Sequence, residues 1–431
     1  MARYLFAPIP YTGHVNPGLP IARELVRRGH DVRWYSTPRF KRAIEAAGAR
    51  YVPFHDAMPL DEERLDELFP NRPAEGIRQL QYDIKYGFID FVPEALSDLE
   101  AELRREPADV IVGDNAAAVC GLVKERHPEM AWAVYGMSVL TLPSRDVAPF
   151  GLALPPSSSF FGRLRNRALY WFVDHVVFRE ANRYNEEVRA RLGFKPMGRS
   201  LFEFVRDADL YLHSGAPSFD YPRTDLPPQL AFIGAPIPEP PANWTPPAWW
   251  PELEGKRVVL VTQGTINNDF DQLIRPAIRA LANEDVFVVV TTGSKPADAV
   301  NVDPLPANVR VERFIPYKHL MPKVNLLLTN GGYGSIQIAL AHGVPVVAIG
   351  ATEDKPEIAN RVNHAYVGIG LKVRVPNEKQ VRDAVRDALG NPAYRLHAEL
   401  MRAELGGLDA ATRGADLLEE LAGVEALKKS A

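Results

Sequence analysis

The sequence predicts an α/β protein with two Rossmann-like parallel-sheet domains facing across a cleft. Three observations predict it. Short apolar runs alternate with segments of helical period over residues 3–213, and the alternation restarts over 257–389. Strands that alternate with helices pack as a parallel sheet covered on both faces. Ten prolines fall between residues 222 and 251, a density that removes too many amide donors for a helix or sheet. Finally, 431 residues exceed what one hydrophobic core organises. The boundaries that follow are 1–221 for the first domain, 222–255 for an extended linker, 256–405 for the second domain, and 406–431 for a C-terminal helical segment.

In the first half, "RYLFAPI" (3–9), "DVRWYS" (31–36), "DVIVGD" (109–114), "WAVYG" (132–136) and "ADLYLH" (208–213) read as strands. Helices are expected near 17–29, 38–47, 75–105 and 115–127. Leu19, Ala22, Leu25 and Val26 keep the helix period, and Gly29 is a good stop. In the second half, "RVVLVTQ" (257–263), "VFVVVTT" (286–292), "NVRVERF" (308–314), "NLLLTN" (325–330) and "VPVVAIG" (344–350) are the strands. Helices are expected near 269–282, 332–342, 356–367 and 377–389. Two doubly wound sheets bind ligands at their C-terminal edges, which here share one cleft.

Composition narrows the classes. With 46% hydrophobic and 24% charged residues the chain is an ordinary globular sequence. Fifty basic against 54 acidic residues give a net charge of −4, which speaks against nucleic acid or an anionic membrane as main partner. The lone Cys120 excludes an internal disulfide framework and a Cys-rich metal site, and reads as a small buried hydrophobe. No apolar run approaches the roughly 20 residues of a membrane span. The apolar run in "MARYLFAPIPYTGH" is too short for a secretion signal. The expected location is cytoplasmic.

Four places carry the chemistry. Asn330 to Ser335 follow a strand and open a helix, where outward N–H groups and the helix dipole favour an anion. Gly331, Gly332 and Gly334 let a phosphate approach the backbone, and Ser335 adds a hydroxyl. A tight turn without ligand fits the local pattern equally well. No Lys-Ser or Lys-Thr pair follows, so this is no Walker loop. Gly264 and Thr265 end the strand at 257–263, and Asn267, Asn268 or Asp269 suits the next helix cap. His14, in "PYTGHVNPG", sits where the first strand gives way to the first helix. A side chain that titrates near neutral pH suits a general base there, as a structural histidine also would. Asp114 ends a neighbouring strand, placed to orient His14 or to cap the helix that follows. Asp269-Phe270-Asp271 reads as helix capping more readily than as a metal pair, and no His/Cys pattern has metal spacing.

Together these residues resemble a nucleotide-sugar-dependent glycosyltransferase of family 1 with the GT-B fold, in the bacterial macrolide and natural-product branch. The resemblance covers essentially the whole chain and is strongest at "GHVNP" (13–17) and over 314–362. It implies that His14 is the catalytic base and Asp114 its partner. It implies that Phe314 stacks on the nucleotide base, that Ile315 meets the base through its backbone, and that Thr265 and Ser335 contact the diphosphate. Asp354 matches the acid that binds sugar hydroxyls. Three positions depart from the family pattern. Asn330 stands where histidine is usual, Ile338 where a glutamate holds the ribose, and Lys355 where glutamine is usual.

The implied function is inverting transfer of a hexose from a nucleotide sugar, UDP-glucose first and a dTDP-sugar second, to a hydroxyl of an apolar small molecule. A phenol, flavonoid or macrolide fits. The stretches "LQYDIKYGFIDFVP" (80–93) and "GMSVLTLPS" (136–144) fall where the family builds its acceptor pocket, with Phe88, Phe91, Met137 and Leu140 as candidate walls. No metal and no cofactor are expected, the nucleotide sugar being a co-substrate, and the chain is expected to be a monomer or homodimer. Two other classes stay open: a catalytically silent GT-B partner, and a nucleotide-sugar epimerase on the same fold. A dinucleotide oxidoreductase lacks its G-x-G-x-x-G after the first strand.

Overall fold

The computed structural model describes residues 1–423 apart from 63, 74–75, 242, 265–268, 294 and 407. The first sheet contains β1 (Arg3–Phe6), β2 (Asp31–Ser36), β3 (Arg50–Pro53), β4 (Val110–Asp114), β5 (Ala131–Gly136), β6 (Leu210–Ser214) and β7 (Leu230–Gly234), in the order β3-β2-β1-β4-β5-β6-β7. The second contains β8 (Val258–Thr262), β9 (Phe287–Thr291), β10 (Val309–Glu312), β11 (Leu326–Thr329), β12 (Val346–Ile349) and β13 (Gly368–Leu371), in the order β10-β9-β8-β11-β12-β13. Neighbouring strands are parallel throughout. This is the expected pair of doubly wound sheets.

The strands form as they do because both faces are buried. Along β1, Tyr4 and Phe6 pack with Trp34 on one face while Leu5 packs with Ile111 on the other. Val259 and Val261 of β8 point to one cluster, Val258 and Leu260 to another. Alternation of side chains across a strand, with apolar cover on each side, requires a near-continuous apolar run.

Several expectations change. The proposed 222–255 linker is not extended throughout: residues 230–234, free of proline, form β7 at the edge of the first sheet, paired with β6. The prolines of that region flank the strand. β3 and β13 were not expected. Each has four residues at a sheet edge, and "GIGL" at 368–371 carries two glycines. Gly368 has φ +150°, and a Cβ there would lie 1.8 Å from the Val346 carbonyl oxygen. The long helix near 75–105 is three pieces: Ile77–Tyr82, a π-helical stretch Asp83–Ile89, and Val92–Arg105 with proline in its first turn. Helices Phe160–Phe172 and Arg179–Arg191 add to the first domain. The last helix, Ala410–Leu421, returns to that domain: Tyr4 donates to the Leu418 carbonyl (3.2 Å), and Arg28 pairs with Glu419 at 2.7 Å.

The two sheets present their C-terminal edges to each other. Tyr333, just after β11, donates to the carbonyl of Ser214 at the end of β6 (2.7 Å). Ser138, just after β5, donates to Asp354, which follows β12. Between the edges lies a buried ion cluster. Arg361 pairs with Asp220 at 2.9 Å and with Glu357 at 3.0 Å, and its guanidinium sits 4.2 Å from the Tyr221 ring centroid. Burial opposes the Asp220 charge, but Arg361 and Arg223 outweigh it and hold its pKa below the ordinary value. Glu357 also accepts from the backbone of Gly151 (3.0 Å) and Ala153 (2.8 Å). Burial pushes His213, beside this cluster, down to about 4, so it is neutral at pH 7. Among the described residues no helix is long and apolar enough to cross a membrane.

Candidate active site

In each sheet the winding reverses on either side of the first strand. β1 lies between β2 and β4, and β8 between β9 and β11. A doubly wound sheet opens its ligand crevice at that switch point. His14 follows β1 and Asp114 ends β4, so the two flank the crevice of the first sheet. The turn Asn330–Ser335 follows β11 and Gly264 follows β8, flanking the crevice of the second.

The first helix runs Thr12–Arg27, five residues earlier than expected. Pro17 and Pro20 lie inside it, and a proline normally marks a helix start. The extra turn is held by bonds from the His14 and Val15 amides to the Tyr11 carbonyl (both 2.9 Å) and by Thr12 N–H donating to Glu62 at 2.9 Å. His14 is therefore helical, and the Tyr135 hydroxyl fixes its carbonyl (2.6 Å). Its Nδ1 lies 3.1 Å from Oδ1 of Asp114, without the alignment of a formed hydrogen bond. Such contacts often tighten only when substrate is bound. Asp114 is fully buried and receives the backbone N–H groups of Ile9 (2.7 Å) and Ala116 (2.6 Å). It caps the loop and faces the histidine at once. With Nδ1 toward Asp114, the remaining ring nitrogen Nε2 is the one available for a proton from elsewhere.

On the other side, Gly331 has φ +94°, and a Cβ there would press against Lys355 at 3.3 Å. Gly332 caps the helix Tyr333–Ala341, whose first turn includes Gly334 and Ser335. The Ser335 hydroxyl donates to the Gly332 carbonyl (2.9 Å) and can rotate toward an anion. Asn330 uses an amide hydrogen on the Gln263 carbonyl (2.9 Å), so it ties the ends of β11 and β8 together. Its Oδ1 is buried without a partner. Thr265 lies outside the described residues. Phe314, just past β10, is 59% exposed and offers an open ring face, whereas Ile315 is buried. Ile338 is buried in the core.

The helix Lys355–His364 begins at the mouth of the cleft, with Asp354 as its N-cap. Burial raises the Asp354 carboxyl above its ordinary pKa, against the opposing pull of the Ser138 hydroxyl. Lys355 donates to Glu353 and, at 3.3 Å, to Thr352. A shallow hollow beside it is lined by Gln272, Asn330, Thr352 and Arg374.

The four expected acceptor walls divide. Phe88 is half-buried with its ring edge-on to Tyr11 (6.4 Å), which in turn is edge-on to His14 (5.7 Å). Met137 is half-buried beside Ser138. Phe91 and Leu140 are 3% and 2% exposed in the core of the first domain, so neither has surface to offer a bound molecule. An apolar side chain serves core and wall alike, and here the core took both. Asp269 caps its own turn and Asp271 pairs with Arg275 at 2.6 Å. Among the described residues no group of three His, Cys, Asp or Glu side chains is placed to hold a metal. Sequence reasoning named the stretch 136–144 without singling out Ser138, and it missed Arg374, which carries no local pattern.

Comparison with known proteins decides the family. Residues 276–421 match the family model "Erythromycin biosynthesis protein CIII-like, C-terminal domain". The chain is 46% identical over 424 residues to 4'-demethylrebeccamycin synthase of Lentzea aerocolonigenes, covering 97% of this chain and 99% of that one. It belongs to the nucleotide-sugar glycosyltransferases of the GT-B fold. UDP-glycosyltransferase 2 of Phaeomoniella chlamydospora is 32% identical, covering 97% and 95% of the two chains. The calicheamicin glycosyltransferase CalG4 shares the fold, with a TM-score of 0.75, 21% identity and 98% of each chain covered. This glycosyltransferase is thus an enzyme that moves a hexose from a nucleotide sugar.

Proposed function

We infer that the chain catalyses inverting transfer of glucose from UDP-glucose to a hydroxyl of a flat, apolar natural product. The observation that carries the reading is the His14–Asp114 pair at one switch point facing an anion-ready turn at the other. The acceptor O–H gives its proton to His14 Nε2. The oxygen forms its bond to the anomeric carbon as that carbon's bond to the diphosphate breaks on the opposite face. An α-linked donor gives a β-glycoside. Asp114 stabilises the imidazolium. The N–H groups at 331–335 and the Ser335 hydroxyl hold the leaving charge, in the manner of preorganised donors elsewhere. The relatives support the substrate classes: one is named 4'-demethylrebeccamycin synthase and several are named UDP-glucosyltransferases. The deciding experiment is release of UDP from UDP-glucose with and without acceptor. Release that depends on a phenolic or macrolide acceptor supports the reading, and release without any acceptor contradicts it.

Backbone and hydroxyl donors can carry the leaving charge alone, so transfer is expected to persist in excess chelator. An absolute requirement for magnesium or manganese, measured by titrating the metal back, contradicts this.

Lys355 is the site residue that departs furthest in chemistry, because it only donates. Replacing it with glutamine supplies a donor and an acceptor for adjacent sugar hydroxyls. Lys355→Gln is expected to raise kcat/KM for UDP-glucose relative to UDP-galactose, UDP-glucuronate and a dTDP-deoxysugar, since a contact built to hydrogen-bond a sugar hydroxyl discriminates against donors that lack it. Unchanged ratios across the four donors would show that Lys355 serves only Glu353 and Thr352.

A further inference from the structure

The helix Phe160–Phe172 and its continuation to Val177 turn an apolar face to solvent. Phe160 is 77% exposed, Phe161 78%, Leu164 56%, Trp171 60%, Phe172 48% and Val176 53%. The opposite face is anchored: Gly162, Asn166 and Val173 are buried, and Asn166 donates to the Arg145 carbonyl (3.0 Å). The helix is therefore firmly seated, and its exposed face belongs to none of the hydrophobic clusters of the described residues. With aromatic side chains worth ~150–250 Å² each, the face presents roughly 600–700 Å² of apolar surface. That exceeds the largest patch of a typical monomer, about 300–600 Å², and approaches the roughly 800 Å² per partner of a standard interface.

We propose that this face is the contact between two copies of the chain, with the two-fold axis at Ala168. The spacing of the side chains carries the argument. A two-fold interface must be self-complementary. Residues 160, 164, 168 and 172 recur every four positions along one ridge of the α-helix, and Val176 continues it on the π-helical turn, with exposed Ala168 at the centre. When two such helices cross antiparallel at residue 168, Leu164 meets Phe172 of the other copy and Phe160 meets Val176. The small side chain at the centre lets the axes approach to the 8–10 Å of packed helices. A lipid surface fits less well. Arg163 is held by Asp146 (2.8 Å) and Arg165 by the Asn166 side chain (2.9 Å), and the remaining rim mixes Arg167 and Arg179 with Asp174 and Glu180, so it presents no cationic belt for anionic headgroups.

The test uses the full chain. Sedimentation velocity at tens of micromolar is expected to show a dimer, and Leu164→Asp with Phe172→Asp is expected to weaken it by ~10²-fold or more. Transfer activity per chain reports that the variant is folded. Cross-linking reads the axis. The native thiol, Cys120, is buried. Ala168→Cys should therefore link to its own copy on mild oxidation, while Leu164→Cys alone should not. A mixture of Leu164→Cys and Phe172→Cys chains should link to each other. A wild-type monomer at these concentrations overturns the proposal. So does an Ala168→Cys chain that links no faster than Leu164→Cys, or a monomer that floats with vesicles of phosphatidylglycerol and phosphatidylcholine.

Discussion

His14→Ala is expected to lower kcat by roughly 10²–10⁴-fold toward an ordinary alcohol or phenol, the usual worth of a positioned general base. The chain should still fold, because His14 lies at the edge of the crevice with 13% of its side chain exposed, and its backbone bonds do not involve the ring. Asp114→Asn should cost less turnover, since the base remains, but it removes the charge that favours the imidazolium. It also weakens the acceptor of the Ile9 and Ala116 amides, so thermal stability must be measured beside kcat. Steady-state turnover with UDP-glucose and one fixed acceptor checks both. Near-normal turnover of His14→Ala would require a different base.

Arg361→Ala is expected to cost about 3–5 kcal/mol, the range for breaking a buried ion pair from one side. The change takes the paired cation from Glu357 and leaves Asp220 with Arg223 alone, at positions 6% and 5% exposed between the two domains. Glu357 would also hold the Gly151 and Ala153 amides less firmly. The loss should appear as a lower denaturation midpoint, with the two domains unfolding in separate steps. Because the same helix begins at Asp354 and Lys355, KM for the nucleotide sugar should rise as well. A midpoint within about 1 kcal/mol of wild type would show that the pair contributes little beyond its own desolvation.

The legible parts of the fold were those where burial shapes the local sequence. β1, β4, β8, β9, β11 and β12 are covered on both faces, so each appears as an apolar run. β3 and β13 sit at sheet edges with four residues each, too short and too open to leave such a run. β7 was hidden by the prolines on either side of it. The early start of the first helix was hidden by Pro17, whose effect is offset by tertiary bonds to Glu62 and Tyr135. In the site, His14, Asp114 and the 330–335 turn stood out because strand ends in a doubly wound sheet have a known place. The Ser138–Asp354 and Asp220–Arg361 contacts join residues 216 and 141 positions apart, and nothing local marks them. Phe91 and Leu140 show the limit of an apolar pattern, which does not say whether its partner is core or ligand.

The central claim is that His14 takes the acceptor proton in the transition state. The most direct measurement is the ratio of wild-type to His14→Ala kcat across phenols of decreasing pKa, with one donor at saturation. If His14 is the base, the ratio falls steadily as the phenol becomes more acidic and approaches unity for one already ionised at the assay pH. A ratio that stays constant along the series would mean that His14 positions substrate or supports the fold without touching the proton, and would contradict the account.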